Sequence, residues 1–368
     1  MTFTVHCGDC LEIMPTMADS SVDLIVTDPP YFKVKNEPWD RQWDNAEAFL
    51  GWLRKVVGEF HRLLKPNGSL YLFASPKMAA RVEVLVAERL NVLENVTWVK
   101  PDPSCELNAG AGRGGQAAKA TLRSWFPRSE EIVFAEHYGA DNIAKGEAGY
   151  AAKCDELRGF VFEPLRAYLD GERQRAGWTT RQVAERFQQK TGSRTVTGMA
   201  GHWFSAVQWT LPTAENYDWL CGLFNLNGTE YLRREYEELR REYEELRREY
   251  EELRRPFSVT ADVPYTDVWS FPTVQAYPGK HPCEKPLAIM EHIVTASSRP
   301  DGVVLDCFMG SGTGGVSAVR CGVRYVGIEI DADSYAVARS RILAAIGSPE
   351  AAAEANALAP EGAQLGLL

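Results

Sequence analysis

The sequence predicts an α/β fold in which helices cover both faces of one doubly wound, mostly parallel sheet. Two observations lead to this prediction. Apolar runs typical of buried strands alternate with helical periodicity, and this alternation occurs in two parts of the chain, 1–136 and 258–347. Between these parts the pattern becomes helical throughout. We therefore expect one sheet assembled from two sequence segments, with an α-helical insertion between them.

The first segment contains three predicted strands. Short apolar runs at 22–27, 68–74 and 131–135 are typical of buried strands. Helical periodicity occurs between them, at 52–64 and at 78–90. Because a helix separates successive strands, we expect crossover connections between parallel strands.

The second segment repeats this pattern. Predicted strands at 303–307 and 324–329 flank a predicted helix at 316–321, and a glycine-rich turn joins the first strand to the helix. In open α/β sheets ligands bind at the carboxyl ends of strands, so this turn is a candidate ligand site.

The insertion, 137–228, is predicted to be helical. Residues 165–187 indicate two short helices, the second with a threonine capping signal, and 195–223 indicate further helices broken at Leu211-Pro212. The helix spacing resembles that of a helix-turn-helix repressor domain, although short helical insertions of other kinds show the same spacing. The Gly/Ala-rich stretch at 109–119 precedes the insertion and is expected to form a loop.

A heptad repeat occupies 229–255. The sequence Arg-Glu-Tyr-Glu-Glu-Leu-Arg at 234–240 recurs at 241–247 and 248–254, which places Tyr and Leu at alternating three- and four-residue spacing. This pattern is typical of a coiled-coil seam. Because three heptads are marginally stable alone, we expect the helix to pack on a second copy, giving a homodimer, or on its own domain. A solvated single helix is the remaining alternative.

Composition excludes several classes of protein. The chain has 368 residues, a hydrophobic fraction of 45% and a formal net charge of −10. A membrane span needs about eighteen consecutive apolar residues, and no run in the chain comes close to that length, so no membrane association is expected. The start of the chain has no secretory signal, so a cytoplasmic location is expected. Among the 8 cysteines only Cys7 and Cys10 lie close together, without a second pair at zinc spacing, so no metal site is predicted. Residues 348–368 are rich in alanine and are expected to be disordered.

The tetrapeptide Asp28-Pro29-Pro30-Tyr31 follows the first predicted strand. Proline lacks an N–H group and disfavours helical backbone in the preceding residue, so Asp28 and Pro29 are expected to be extended, with carbonyl oxygens available as acceptors. A carboxylate beside such a carbonyl suits an amino group with two N–H donors, and the Tyr31 ring offers a flat surface to a planar heterocycle. The alternative is a strand-ending turn in which Asp28 caps the next helix.

The glycine-rich turn, Asp306 to Thr313, follows a strand and begins a helix. Gly310 and Gly312 permit close approach of a ligand to the backbone, and Glu329, at the end of the next strand, is placed to hold two ribose hydroxyls. This pattern alone occurs in sites for dinucleotides, S-adenosylmethionine and phosphates. Gly315 nearly completes a dinucleotide fingerprint, but hydride transfer to a nicotinamide has no use for the Asp-Pro-Pro-Tyr turn.

With both sites considered, the chain resembles the β-class DNA amino-methyltransferases. Four of its motifs look like family motifs and occur in the family's order: Gly8-Asp9-Cys10, Asp28-Pro29-Pro30-Tyr31, His281 to Pro286 and Asp306 to Thr313. The resemblance covers about residues 5–135 and 275–345. Two positions depart from the family pattern, since Cys307 stands where proline is commoner and Gly314 where a second threonine is usual.

The resemblance implies a Rossmann-like methyltransferase sheet, S-adenosylmethionine as methyl donor and double-stranded DNA as substrate. In this family Asp-Pro-Pro-Tyr is usual for enzymes that methylate the N6 amine of adenine, whereas cytosine-N4 enzymes more often begin with serine, so adenine is the expected base. Asp28 and the Pro29 carbonyl would accept the two amine hydrogens, and Tyr31 would hold the base outside the duplex. The expected catalytic residues are Asp28, Pro29, Pro30 and Tyr31.

The resemblance also implies a set of cofactor contacts. Glu329 would hold the ribose and Asp9 the adenine amine, while Lys285 would bind the carboxylate of the methionine part. Gly310 and Gly312 would allow the cofactor to approach the backbone. The remaining residues expected in this site are Cys10, Asp306, Phe308 and Thr313.

A DNA substrate requires a positive surface, and charge is unevenly distributed along this chain. Residues 171–200 carry six Arg or Lys against two Glu, in the part of the sequence where this family keeps its target-recognition region. Contacts with DNA are expected from Arg173, Arg181 and Arg194 in this stretch and from Arg113 and Lys119 in the Gly/Ala-rich stretch.

Other functions stay open at this point. A cytosine-N4 enzyme would use the same residues, and a catalytically silent DNA-binding regulator would use only the helical insertion. The intact Asp28 and glycine-rich turn favour an enzyme over a regulator. An RNA adenine-N6 enzyme ranks lower because the sequence shows no RNA-binding module signature. Neither the target sequence nor a partner nuclease follows from the sequence.

Overall fold

The computed structural model describes residues 3–101, 128–137, 159–194, 198–206, 209–259, 266–275, 277 and 280–347. By contacts between Cα atoms the chain divides into two units. Met1–Asp141 and Pro256–Leu368 form the first, called here the sheet unit, and Asn142–Arg255 form the second, called the helical unit. The Gly/Ala-rich stretch at 109–119 and the predicted tail at 348–368 lie outside the described residues.

One sheet forms the centre of the sheet unit. Its strands are β1 (Phe3–Cys7), β2 (Val22–Thr27), β3 (Leu64–Ala74), β4 (Asn91–Val99), β5 (Ser129–Glu136), β6 (Val268–Ser270), β7 (Val303–Asp306) and β8 (Arg324–Glu329). Within the described residues these eight strands lie in the order β1-β8-β7-β2-β3-β5-β4-β6. All neighbours are parallel except β5, which is antiparallel to β3 and to β4. The predicted α/β class with a mostly parallel sheet is confirmed.

Helices connect and cover the strands. In chain order they are α1 (Cys10–Ile13), α2 (Ala46–Leu63), α3 (Ala79–Ala87), α4 (Glu163–Arg175), α5 (Thr180–Thr191), α6 (Met199–His202), α7 (Ala214–Phe224), α8 (Tyr236–Leu253), α9 (Leu287–Ser297), α10 (Thr313–Arg320) and α11 (Ala332–Ile346). In the described ranges none of them is both long and apolar enough to cross a membrane.

Two hydrophobic cores lie on opposite faces of the sheet. Because side chains alternate along a strand, Leu70 and Leu72 of β3 face the core formed with α2 and α3, whereas Tyr71 and Phe73 face the core formed with α9 and α10. The sheet is therefore covered on both faces, as a parallel sheet requires.

The strand directions place four acidic residues at one edge of the sheet. β2, β7 and β8 are parallel neighbours, so their carboxyl ends meet there, at Asp28, Asp306 and Glu329. β5 runs in the opposite direction, and its amino end, with Glu130, therefore lies at the same edge. This edge is where sheets of this class bind ligands.

The helical unit has its own aromatic core, in which Trp203 is 2% exposed. The heptad seam of α8 packs into this core. Leu239 and Tyr250 are buried there, and the ring of Tyr243 stacks on that of Phe162 with centroids 5.3 Å apart. Two partners were predicted for the seam, a second copy and its own domain. The structure shows the seam packed on its own unit, so the seam gives no support to a homodimer.

Some element boundaries differ from the sequence prediction. Helix α2 begins at Ala46 rather than at 52, because Asn45 caps it by accepting a 2.9 Å hydrogen bond from the N–H of Ala48. Strands β1, β4 and β6 are additional to those predicted. β1 and β6 are edge strands, and β4 alternates polar with apolar residues, so none of the three forms a long apolar run.

Candidate active site

A cavity of about 620 Å³ lies at the acidic edge of the sheet, within the sheet unit. Residues that follow β2, the glycine-rich turn between β7 and α10, and the end of β8 form part of its wall. The segment His281 to Lys285 completes it. Cavities of this size bind small-molecule ligands in many proteins.

Asp28 is held in this cavity by a buried lysine. The ammonium of Lys285, a residue that is 7% exposed, forms a hydrogen-bonded ion pair with Oδ2 of Asp28. Oδ1 of Asp28 is buried and has no hydrogen-bond partner among the described residues. Burial raises the pKa of the Asp28 carboxyl, and the charge of Lys285 opposes that rise. A buried carboxylate oxygen without a partner is costly, so the site favours a ligand that brings a donor.

Glu130 connects this ion pair to Tyr31. Its Oε2 accepts a 2.8 Å hydrogen bond from the Tyr31 hydroxyl and lies 3.4 Å from Nζ of Lys285, while Lys100 donates to its Oε1. Burial opposes ionisation of Glu130, but the charges of Lys285 and Lys100 outweigh it and lower its pKa. Asp28, Lys285, Glu130 and Lys100 are called below the ion network; Lys285 is buried, and the side chains of the other three are partly exposed.

The backbone after Tyr31 is organised by Asp40, whose side chain is fully buried. Asp40 Oδ1 accepts a 2.7 Å hydrogen bond from the N–H of Tyr31, and Oδ2 accepts bonds of 2.6 and 2.5 Å from the N–H groups of Val34 and Lys35. The two residues that follow Tyr31 each have a φ of 60°, which is uncommon for residues with side chains. The hydrogen bonds to Asp40 therefore stabilise a turn that the backbone alone disfavours.

An aromatic pair forms another part of the cavity wall. The rings of Trp39 and His281 stack with centroids 6.5 Å apart and planes 18° apart. Burial lowers the pKa of His281, which favours the neutral form of its imidazole. Gly310 lies beside this ring with a φ of 52°, and a Cβ atom there would come 3.4 Å from Cε1 of His281.

Two carboxylates fix the glycine-rich turn. Glu329 Oε2 accepts a 2.7 Å hydrogen bond from the N–H of Gly310. Asp306 Oδ1 accepts bonds from the Thr27 hydroxyl at 2.8 Å and from the N–H of Phe308 at 3.2 Å. Burial raises the pKa of Asp306 to about 7.

Glu284 ties the segment His281 to Lys285 to the same turn. Its side chain is 4% exposed and accepts hydrogen bonds from the Tyr277 hydroxyl at 2.5 Å and from Arg341 at 2.9 Å. Arg341 also donates to the carbonyl oxygen of Ser311 at 2.9 Å. The segment that carries Lys285 is thereby held against the glycine-rich turn.

Most of the predicted site residues lie on this cavity. Those among its lining residues are Asp28, Pro29, Pro30, Tyr31, Lys285, Asp306, Phe308, Gly310, Thr313 and Glu329. The contact of Lys285 differs from the predicted one, because its ammonium is paired with Asp28.

Three predicted cofactor residues do not line the cavity. Asp9 caps α1 by accepting a 2.8 Å hydrogen bond from the N–H of Leu11, and Cys10 is buried in the core that α2 and α3 cover. Gly312 has a φ of 80°, and a Cβ atom there would come 2.8 Å from Cα of Ala338, so glycine allows α10 to approach α11. Among the described residues no cluster of His, Cys, Asp and Glu is suited to a metal.

The predicted DNA contacts have different surroundings in the helical unit. The side chain of Arg181 is 88% exposed, and Arg194 is also exposed. The side chain of Arg173 is only 12% exposed and is held by Asp170 at 2.7 Å, which does not support a phosphate contact. Arg113 and Lys119 lie outside the described residues.

Sequence reasoning missed four residues of this site, namely Glu130, Lys100, Asp40 and Trp39. Glu130 reaches the edge because β5 is antiparallel to β3, and no sequence motif indicates this direction. Lys100 follows the carboxyl end of β4, a strand that the sequence analysis did not predict. No sequence signal was available for Asp40: a buried acid is expected to accept hydrogen bonds from N–H groups, but the burial of Asp40 is seen only in the structure.

Comparison with known proteins agrees with this geometry. Residues 22–340 match the N6 and N4 methyltransferase family described as DNA methylase. The type II methyltransferase M2.MboI of Moraxella bovis is 21% identical over 357 residues, which cover 92% of this chain and 87% of that protein. The DNA adenine methyltransferase YhdJ of Escherichia coli (strain K12) is 24% identical over 336 residues, which cover 90% of this chain and 79% of that protein.

Similarity in structure extends to a solved methyltransferase. The PvuII DNA methyltransferase (cytosine-N4-specific) aligns with a TM-score of 0.50 over 93% of this chain and 87% of its own, at 11% identity, and so shares the fold. The family match, by contrast, rests on sequence. It includes the two parts of the chain that line the cavity, 28–40 and 281–334. The chain therefore belongs to the DNA methylase family.

Proposed function

We propose that the chain is a sequence-specific DNA methyltransferase that transfers a methyl group from S-adenosylmethionine to the N6 amine of an adenine flipped out of double-stranded DNA. The observation that carries this proposal is Oδ1 of Asp28, a buried carboxylate oxygen without a hydrogen-bond partner among the described residues. An exocyclic amine brings the donor that this oxygen lacks.

The cavity residues fit S-adenosylmethionine as the cofactor. The cofactor carries positive charge on its sulfur and its ammonium, and the acidic side chains of Asp306 and Glu329 line the cavity. Gly310 presents backbone without a side chain, and Glu329 would hold the ribose. When bound, the cofactor supplies a methyl group on a positively charged sulfur. We assign Lys285 to Asp28 rather than to the methionine part, because the ion pair is already formed.

Asp28 and Pro29 would activate the amine. The lone pair of an aromatic amine is delocalised into its ring, which makes the nitrogen a poor nucleophile. If Oδ1 of Asp28 and the Pro29 carbonyl accept the two amine hydrogens, the lone pair would be available to form the bond to the methyl carbon, while the electron pair of the broken carbon–sulfur bond would stay on sulfur. Positive charge would then develop on the nitrogen beside a fixed carboxylate, which would stabilise the transition state and is placed to accept the proton that the methylated nitrogen loses.

Aromatic side chains would hold the base. The Tyr31 ring is fixed at its hydroxyl by Glu130 and at its backbone by Asp40. Trp39 and His281 form an aromatic pair in the cavity wall. Stacking against such rings offsets part of the cost of taking a base out of the duplex.

The helical unit would recognise the target sequence. Helices α4 and α5 are joined by four residues, Ala176 to Thr179, a connection length typical of helix-turn-helix motifs. Thr179 and Gln182 form a capping box that fixes the start of α5. The exposed Arg181 and Arg194 are then candidates for phosphate contacts.

Labelled cofactor tests the proposed reaction. The protein incubated with radiolabelled S-adenosylmethionine and genomic DNA should label the DNA, and digestion should place the label on N6-methyldeoxyadenosine. Asp28→Asn should slow transfer by at least about 10²-fold, since it removes the charge at the reacting nitrogen, and should leave cofactor binding by calorimetry largely intact.

The matched control is Asp19→Asn, which changes an acid whose side chain is 76% exposed, and which should transfer label normally. Label on N4-methylcytosine would identify cytosine, rather than adenine, as the base that is methylated. Tight DNA binding without any label would overturn the enzyme in favour of a DNA-binding regulator.

A further inference from the structure

We propose that Glu130 is a positioning residue for methyl transfer: it holds Lys285 on Oδ2 of Asp28 and the Tyr31 hydroxyl at the same time, so that Oδ1 of Asp28 is left to accept the amine hydrogen. The inference rests on the proposed function, because it assigns Asp28 to the amine. Glu130 itself touches neither base nor cofactor in this assignment and acts through Lys285 and Tyr31.

The sheet topology brings Glu130 to this position. Asp28 follows β2 and Glu130 begins β5, and β3 lies between these two strands. Nζ of Lys285 lies between the two acids: it pairs with Asp28 on one side and is 3.4 Å from Oε2 of Glu130 on the other. Beneath it is Phe73 of β3, whose ring centroid lies 5.0 Å from Nζ. The ammonium is thus held from three strands.

Glu130 has a partner for each of its oxygens. Oε1 accepts from Lys100, and Oε2 accepts from the Tyr31 hydroxyl as well as facing Lys285. The ion network therefore contains two carboxylates and two ammonium groups, which balance in charge. Removing one member of such a network leaves an uncompensated buried charge, so the remaining groups must shift their pKa or their position.

The two neighbours of Asp28 act on its ionisation in opposite directions. The charge of Lys285 lowers the pKa of Asp28, and the charge of Glu130 raises it. Within the described part of the chain, the titratable groups that interact electrostatically with Asp28 include Lys285, His281 and Cys283 of the cavity segment, Tyr31 of its own turn, Glu130 of β5 and Asp306 of β7. Of these groups, Lys285 and Glu130 belong to the ion network, so they are the ones to change in a test.

The pH dependence of methyl transfer tests this assignment. In single-turnover reactions with labelled cofactor and genomic DNA, Lys285→Met should move the acidic limb of the rate profile up by about one pH unit or more, because Asp28 loses its counterion. Glu130→Gln should lower the maximal rate, because the amide no longer fixes the ammonium of Lys285 by charge. It should also move the same limb down, because Asp28 loses a neighbouring negative charge and remains the carboxylate nearest to Lys285. The Gln side chain can still accept a hydrogen bond from the Tyr31 hydroxyl, so the ring should stay in place. Cofactor binding should not change, because Glu130 is not among the residues that line the cavity.

Two further variants separate positioning from general structure. Glu130→Asp keeps the charge and should return the acidic limb toward that of the wild type. Glu131→Gln is the matched control on the same strand, because Glu131 accepts a 2.8 Å hydrogen bond from Thr97 rather than contacting the network. Its profile should coincide with the wild type.

The outcomes distinguish this inference from the proposed function. A wild-type protein that labels no DNA would overturn both. A wild type that labels adenine, with a Glu130→Gln profile that is unchanged or that moves upward like that of Lys285→Met, would overturn the inference alone. The test does not depend on Lys285→Met folding, since Glu130→Gln is isosteric and carries the opposite prediction.

Discussion

At the residue scale, the site depends on acids that anchor the backbone as well as on the acid that faces substrate. Asp40 is the clearest case. Its carboxylate accepts three N–H groups of the turn that carries Tyr31, including that of Tyr31 itself. The turn contains two successive residues with positive φ, so its conformation depends on these bonds. Asp40 therefore controls the position of the Tyr31 ring from the backbone, while Glu130 controls it from the hydroxyl.

Asp40→Asn tests this anchoring. Asparagine has one acceptor oxygen, so at least one of the three N–H groups would face an NH₂ group and lose its bond. We expect the free energy of unfolding to fall by about 1–3 kcal/mol and methyl transfer to slow, as measured by denaturant melts and by labelled cofactor. Asp44→Asn, an exposed acid of the same segment, is the control and should change neither. Normal transfer by Asp40→Asn would show that the turn keeps its shape without the carboxylate.

The residues that could be predicted from sequence are those that lie at strand ends within a motif. Asp28 follows β2 and Glu329 ends β8, two strands that the sequence predicts, so their place at the edge of a parallel sheet is expected from pattern alone. Glu130 and the pairing of Lys285 could not be predicted, because they depend on β5 reversing direction and on which of several acids lies nearest an ammonium. Such contacts are set by tertiary structure, which a local pattern does not encode.

At the element scale, the same limit explains which strands were predicted. β2 is buried at every residue and forms an apolar run, whereas β6 has three residues and pairs only at 97–99 of β4. The heptad pattern predicted a helix and the residues of its seam. It could not decide between a second copy and its own unit, because both surfaces would be apolar. The aromatic core of the helical unit provides the surface that the seam contacts.

Leu239→Ala tests the role of the seam. Leu239 is fully buried in the core of the helical unit, and its truncation should cost about 2–5 kcal/mol of stability. Hydrogen exchange of the full chain, read by mass spectrometry, should show lost protection in α8 and its neighbours. Leu253→Ala, at a seam position that is 43% exposed, should change protection little. A fall in molecular mass by light scattering in Leu239→Ala, with protection unchanged, would instead favour a seam between two copies.

At the scale of the whole molecule, the net charge of −10 and a DNA substrate are compatible only if positive charge is concentrated. The stretch 171–200 is the concentrated part by sequence, but the structure shows that its cations are not equivalent. Arg173 is held inside the unit, whereas Arg181 and Arg194 are exposed. The local excess of Arg and Lys in the sequence indicates the region. The degree of burial of each side chain then distinguishes residues that stabilise the unit from residues that can reach phosphate.

Salt dependence of DNA binding tests this distinction. Each phosphate contact contributes about 0.9 to the slope of log affinity against log salt concentration, because binding releases condensed counterions. The double variant Arg181→Ala with Arg194→Ala should therefore weaken DNA binding and reduce that slope by up to about 1.8, measured by fluorescence anisotropy at several salt concentrations. The control is Arg240→Ala, which removes a 56% exposed arginine of α8 that lies between Glu237 and Glu244, and it should leave the slope unchanged. An equal loss of slope in the control would mean that DNA binding depends on the total charge of the molecule. An unchanged slope in the double variant would mean that other residues make the phosphate contacts.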